Sequence, residues 1–280
     1  MESRNFILTG SSAKYYWKGE GLCSVKTFSN GPAYYNTGKG SFKVTEDAFL
    51  LLNDGTTYAI EIDQNKKVDS FCLFFDQATL NEAFYGTGRS AEYLLDNVGH
   101  FTENTGFFER TYPITLLDKE LNRLHRDHTL FNNDSLWLEQ EFANILDSLC
   151  GLHLKSLADR NLLQAAKSST RQELYVRLLK AREYIHANSE RTLTLKEIAL
   201  ASHLSVNHLM RCFKLVFHAT PHAYLTNIKI KRARHLLIHT DQTITGISEA
   251  VGYTSLGSFS LLFKHYTGLS PEAFRKNKNR

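Results

Sequence analysis

Cysteine is scarce in this chain: Cys23, Cys72, Cys150 and Cys212 are the only four among 280 residues, and they stand far apart. None shares a CxxC or CxxxC spacing, which excludes a zinc site built on paired cysteines and a dense disulfide framework, and fits free thiols in a reducing compartment. No stretch reaches eighteen uninterrupted apolar residues, and the opening MESRNFILTG lacks the basic start, apolar run and small-residue cleavage site of a signal peptide. A cytoplasmic protein with no membrane partner is the expectation. Histidine offers no metal site either. The first is His100, and the eight after residue 173 are scattered without cysteine or carboxylate at ligand spacing. With no catalytic constellation in view, no cofactor, no metal and no enzymatic activity are expected.

What is present points to two bodies. A length of 280 residues exceeds the roughly 100–200 of a single domain. The net charge of +4 hides a division: from residue 173 onward there are 16 Lys+Arg against 7 Asp+Glu, leaving an acidic balance in the first 172. A basic C-terminal part implies a polyanionic partner there.

Residues 1–113 carry short apolar or alternating runs broken by turn residues (LCSVKTF, SNGP, SFKV, AFLLLNDG, YAIEI, SFCLFFD), the spacing of an all-β sandwich or barrel. Over 114–154 the period becomes helical, with Leu117, Leu121 and Leu124, then Leu138, Phe142, Ile145 and Leu149, separated by NNDS at 132–135. This reads as a helical hairpin whose apolar stripes pack on the barrel or on a second subunit. Residues 155–172 are polar enough for a linker, and 173–280 read as helices with short turns.

The most informative feature is a repeat at a spacing of about fifty residues. Phe213-Lys214 precedes Pro221, Ala223 and Tyr224, while Phe263-Lys264 precedes Pro271, Ala273 and Phe274. Upstream, Leu209 matches Phe259, Ser205 matches Ser255, and Thr194-Leu195 with Ile198 matches Thr243-Ile244 with Ile247. Each copy, about 194–217 and 243–267, reads as helix, tight turn, helix, opened by a hydroxyl cap. The helical period turns Leu209, Phe213, Val216 and Phe217 inward in the first copy, and Phe259, Leu262, Phe263 and Tyr266 in the second. Asn207, Arg211 and Lys214 share the outward face. Between the copies, HAYLTNIKIKRARHLLI at 222–238 is one basic helical run, roughly 25 Å long.

Through KEIALASHLSVNHLMRCFK, IKIKRARHLL and ISEAVGYTSLGSFSLLFKHYTGLSPEAFR, the region from about 175 to 276 resembles the DNA-binding domain of the AraC/XylS family of transcriptional regulators. The resemblance implies two helix-turn-helix units on a stiff linker helix, with recognition helices entering successive major grooves of promoter DNA. By position it offers Asn207, Met210 and Arg211 of the first unit, and Leu256, Gly257, Ser258 and Leu261 of the second, to base edges. Ser205, His208, Lys214, Lys229, Arg232, Ser255, Lys264 and His265 are offered to phosphates. An isolated surface arginine commonly pairs with a nearby carboxylate; the repeat favours base reading for Arg211. Where Leu261 stands, relatives often carry a polar or basic residue, so the first unit is expected to supply most of the readout.

The resulting fold class is α+β: an N-terminal cupin-like β-barrel with a helical hairpin, then an all-α domain of two helix-turn-helix units joined by a linker helix. The barrel would hold a small effector against Tyr34, Tyr35, Tyr58, Phe71, Leu73 and Phe75, or be filled by side chains. Lys39, Lys43, Lys66, Lys67 and Arg89 would attract an anionic one. The family implies activation, a homodimer through the hairpin and contact with RNA polymerase. Two alternatives stand beside the effector-responsive activator: a regulator without a small ligand, governed by a protein partner or by abundance, and a DNA-repair methyl acceptor, for which Cys23 and Cys72 lack the metal-binding cysteine cluster such chemistry needs.

Overall fold

The computed structural model describes residues 5–86, 106–131, 134–164 and 167–277. Arg89, His100 and the Asn132-Asn133 pair of the expected turn lie outside the described residues. The chain divides into two compact halves, Met1–Gln164 and Ala165–Arg280.

In the N-terminal half, β1 (Phe6–Gly21), β2 (Ser24–Ser29), β3 (Ala33–Thr37), β4 (Gly40–Val44), β5 (Ala48–Leu52), β6 (Thr56–Phe74) and β7 (Arg110–Pro113) form one antiparallel sheet in the order β4-β3-β6-β2-β5-β7, with β1 added to β6. The sheet curls into a nearly closed barrel. The long β6 pairs with β1 from Phe6 opposite Phe74 to Gly21 opposite Thr56, and its other edge takes β3 and then β2. Among the described residues of this half the sheet is accompanied by helices α1 (Gln77–Gly86), α2 (Asp118–Asp127) and α3 (Ser135–Asn161) and a 3-10 turn at Ile114–Leu116.

Strand geometry decides what each side chain meets. In β5, Phe49 and Leu51 face the helices while Leu50 and Leu52 face the barrel interior; in β6, Phe71 and Leu73 face the helices while Val68, Cys72 and Phe74 point inside. Both faces are buried, so these strands read as continuous apolar runs rather than alternating ones. Leu117, Leu121, Leu124, Phe142, Ile145 and Leu149 pack into the helix-side core, and Arg123 of α2 pairs with buried Glu141 of α3 at 2.8 Å. The apolar stripes considered for a second subunit are therefore taken up by the barrel's own outer face.

The set expected to line an effector pocket divides three ways. Tyr35 and Tyr58 lie inside the barrel, Phe71, Leu73 and Phe75 belong to the helix-side core, and Tyr34 is exposed. Alternation along β6 forbids Phe71 and Leu73 from sharing the interior with Tyr58, whose position has the opposite parity, and Phe75 follows just past the strand's end.

Lys26 of β2 is the one charged side chain drawn into the interior of the described barrel. It is 2% exposed, with Nζ 3.7 Å from the Phe74 ring centroid and 5.5 Å from that of Tyr58, and makes no ion pair among the described residues. Burial pulls its pKa down to about 8. The unfolded chain then holds more protons than the folded one between pH 8 and the ordinary lysine value, so stability rises across that window and is lower beneath it. Lys26→Met is expected to raise stability at neutral pH by roughly 2 kcal/mol and to flatten that rise. Urea unfolding at pH 7 and pH 10 checks this, and a less stable variant at pH 7 would contradict it.

In the C-terminal half the order is α4 (Ser168–Ala187), α5 (Leu195–Ala201), α6 (Val206–Phe217), α7 (Pro221–His239), α8 (Ile244–Ala250), α9 (Leu256–Thr267) and α10 (Pro271–Asn277). Much of the expected linker at 155–172 is helical: α3 continues to Asn161 and α4 starts at Ser168. Leu157 and Ala158, good helix formers, lie within the last turns of α3, and residues 162–167 separate the two helices.

Candidate nucleic-acid interface

Both copies of the repeat are helix pairs whose starts are set by local chemistry. Thr194 and Glu197 form a reciprocal capping box at α5. The Thr194 backbone N–H at 2.7 Å, together with Arg191 and the Thr194 hydroxyl, holds the Glu197 carboxyl down at about 2. Ser205 caps α6 by accepting from the His208 N–H at 3.3 Å, and Ser255 caps α9 by accepting from the Ser258 N–H at 3.3 Å. Thr243 does the same at α8, taking the Gly246 N–H at 3.0 Å.

The turns differ. Between α5 and α6, His203 takes a left-handed φ of 53°; between α8 and α9 that role falls to Gly252, at 78°. The cores match: Leu209, Cys212, Phe213 and Val216 are buried in α6, Phe259 and Phe263 in α9. The second core continues into Ile230, Ala233 and Leu237 of α7, which tie the connecting helix to the second unit.

Opposite the first core, Asn207, Arg211 and Lys214 of α6 are exposed, and Met210 and His208 are half-buried at its edge. Arg211 makes no ion pair among the described residues. On α9, Leu256, Gly257, Ser258, Leu261, Lys264 and His265 are exposed, Leu261 to 75%. Ser205 and Ser255 also stand at the surface; each hydroxyl accepts from its own helix and keeps its proton free to donate. A helix N-terminus with exposed N–H groups and hydroxyls is suited to a phosphate oxygen.

Three expectations change. Lys229 is 6% exposed and donates to the Gly252 carbonyl at 2.9 Å, so it is not on the surface where a phosphate would sit. It falls within the stripe of Thr226, Ile230, Ala233 and Leu237, a period visible in the sequence but overshadowed by its charge. Arg232 is exposed yet pairs with Glu190. Tyr266 is 42% exposed rather than inward, and Leu262 only half-buried, because the second core closes on Phe274 of α10 instead. Lys231, exposed on α7 and not singled out from the sequence, makes no ion pair among the described residues and is a cation of the kind expected of Lys229.

The family described as "Helix-turn-helix domain" matches residues 198–277. The uncharacterized HTH-type transcriptional regulator YisR of Bacillus subtilis is 23% identical over 261 residues, covering 88% of this chain and 83% of that one. The melibiose operon regulatory protein of Escherichia coli is 33% identical over 93 residues, 33% of this chain and 31% of that protein. The lactose operon transcription activator of Staphylococcus xylosus is likewise 33% identical over 93 residues, 33% of each chain. Beyond YisR, then, the likeness to these regulators spans about a third of their length. Among solved structures, the C-terminal domain of the response regulator AraT from Geobacillus stearothermophilus is 32% identical, covers 36% of this chain and 84% of its own, and superposes with a TM-score of 0.35.

The C-terminal half is thus a helix-turn-helix domain of the AraC type, with two copies of the motif. It is this half that resembles the DNA-binding domains of AraC-type transcriptional regulators.

Proposed function

We propose that the protein activates transcription at promoters it reads with α6 and α9 in successive major grooves, recruiting RNA polymerase, and that the N-terminal half conveys an effector signal. The observation that carries the DNA reading is the outward face of α6, where Asn207 and Arg211 are exposed and Arg211 is free of any carboxylate among the described residues. Arginine pairs bidentately with guanine and asparagine with adenine, and both side chains are available for this. On α9, Leu256 and Leu261 suit thymine methyls, while Lys214, Lys264, His265 and the capping serines suit phosphates. Activation is supported by the lactose operon transcription activator, whose likeness to this chain covers 93 residues.

For the effector, a cavity of about 670 Å³ is lined by Lys39, Asn53, Asp54, Thr57, Gln77 and Asn81 with the apolar Leu80, Phe84 and Phe107. Lys39 closes its rim by pairing with the buried Glu109 at 2.6 Å. Such a lining suits a small polar molecule with one apolar face. One observation favours the second reading, a regulator without a small ligand: the barrel interior itself is filled by Phe28, Tyr35, Phe42, Leu50, Tyr58 and their neighbours. The methyl-acceptor reading draws no support from the thiols, since burial pushes Cys23 up to about 12 and raises Cys72, the reverse of an activated nucleophile.

Selection of preferred duplexes from a random pool by the full chain, followed by single base exchanges, tests the DNA reading. Exchanges beneath α6 should weaken binding by roughly tenfold each, and exchanges beneath α9 by less. Equal losses would overturn the division of labour between the two helices, and no preferred sequence at all would overturn the reading itself.

A further inference from the structure

The connecting helix α7 holds both helix-turn-helix units from one short stretch of its surface. Lys229 reaches the second unit's turn, donating to the Gly252 carbonyl at 2.9 Å with its ammonium 4.9 Å from the Tyr253 ring centroid. Arg232, three residues on, pairs with the Glu190 carboxylate in the loop that leads from α4 into the first unit. Between these two contacts the loop and the turn touch. Gly252 sits at a φ of 78°, and a Cβ there would stand 2.4 Å from the Glu190 carbonyl oxygen and 2.8 Å from Lys229 Nζ. The backbone of the first unit's approach is therefore pressed against the backbone of the second unit's turn, with one ammonium at the seam.

Burying that ammonium is unfavourable, and its pKa is lowered by the loss of water. A single carbonyl bond and one ring face offset part of the penalty. On an outward position the same lysine would meet a phosphate without being desolvated. What the buried position supplies is a fixed angle. The connecting helix spans 19 residues, or roughly 28 Å. A tilt of about 10° over that length displaces the far recognition helix by roughly 5 Å. Stacked base pairs are about 3.4 Å apart, so such a tilt moves α9 off its register by more than one base pair.

We infer that Lys229 is a positioning residue that sets the spacing between the two DNA segments the protein reads, without touching DNA itself. The ligand it selects is duplex DNA carrying both segments at one separation, and duplexes differing by a single base pair between the segments are rejected. Lys229 acts through the seam formed by Gly252 and Glu190.

The test uses the full chain and its selected duplex, with zero, one or two base pairs inserted between the segments. The wild type should lose about tenfold in affinity at the first insertion. Lys229→Met keeps the stem and lacks the donor: it should bind the original duplex about tenfold more weakly, discriminate little among the three spacings, and retain the footprint of α6. Lys229→Arg, which restores a donor, should restore the spacing preference. A wild-type spacing profile in Lys229→Met overturns the inference, as does equal loss of both footprints, which is what a purely structural role would give. Glu190→Gln, at an exposed position, loosens the same seam without emptying a buried site; a flattened profile is expected from it, and an unchanged one would overturn the inference even if Lys229→Met failed to fold.

Discussion

Arg211→Ala should weaken binding to the preferred duplex by up to about 100-fold at fixed salt while changing binding to scrambled duplex very little, so that the specificity ratio collapses. The reason is the isolation of the side chain. Arg211 is exposed on α6 beside Asn207 and Lys214, one helical turn apart, with no carboxylate among the described residues to compete for it. A guanidinium in that state offers its fork to a base edge without first breaking an ion pair. Anisotropy titrations over a salt series separate this role from a phosphate contact. Loss of one phosphate contact lowers the slope of log affinity against log salt by about one and affects both duplexes alike. If the variant keeps its discrimination and only that slope falls, Arg211 is a phosphate ligand and α6 reads through other residues.

Phe213→Ala should cost about 3–5 kcal/mol, enough to unfold the first unit at physiological temperature in a domain of ordinary stability. Phe213 is fully buried, with its ring 4.5 Å from Phe217 and 5.4 Å from Tyr224. Tyr224 in turn accepts from Arg182 Nε at 2.9 Å and meets His186 Nε2 at 3.0 Å, so the cavity opens beside a buried polar network. Truncation there removes packing and loosens that network together. Urea melts followed by far-ultraviolet circular dichroism measure the loss, and Phe263→Ala at the repeat-equivalent position should be similarly severe. A loss below about 1 kcal/mol would mean that the site collapses around the missing ring.

The helical half was the more legible in sequence, because its signals are local. Thr194, Ser205, Thr243 and Ser255 sit at helix starts in the structure for the same reason they mark them in the sequence: a hydroxyl two or three residues before an apolar period satisfies a free backbone N–H. Lys229 was misplaced because charge was weighed above position, although its neighbours Thr226, Ile230 and Ala233 already outlined the buried stripe. Tyr266 followed the stripe one turn too far, since nothing in α9 alone announces that Phe274 closes the core. The barrel lining was harder. Phe71 to Phe75 is apolar throughout, and a strand buried on both faces carries no alternation to tell interior from helix side. Only the register of β6 against β1 and β2 resolves it.

Of the side chains offered to bases, Asn207, Arg211, Leu256, Ser258 and Leu261 are exposed and Met210 is half-buried, while the cores beneath them are formed by Leu209, Phe213, Phe259 and Phe263. Exchanges at such surface positions usually shift stability by no more than about 0.5 kcal/mol. The address of the regulator can therefore be rewritten one residue at a time without endangering the scaffold that presents it. Leu261 is the plainest opening for such drift: a polar residue there would remove an exposed apolar side chain and create a new reader in a single step.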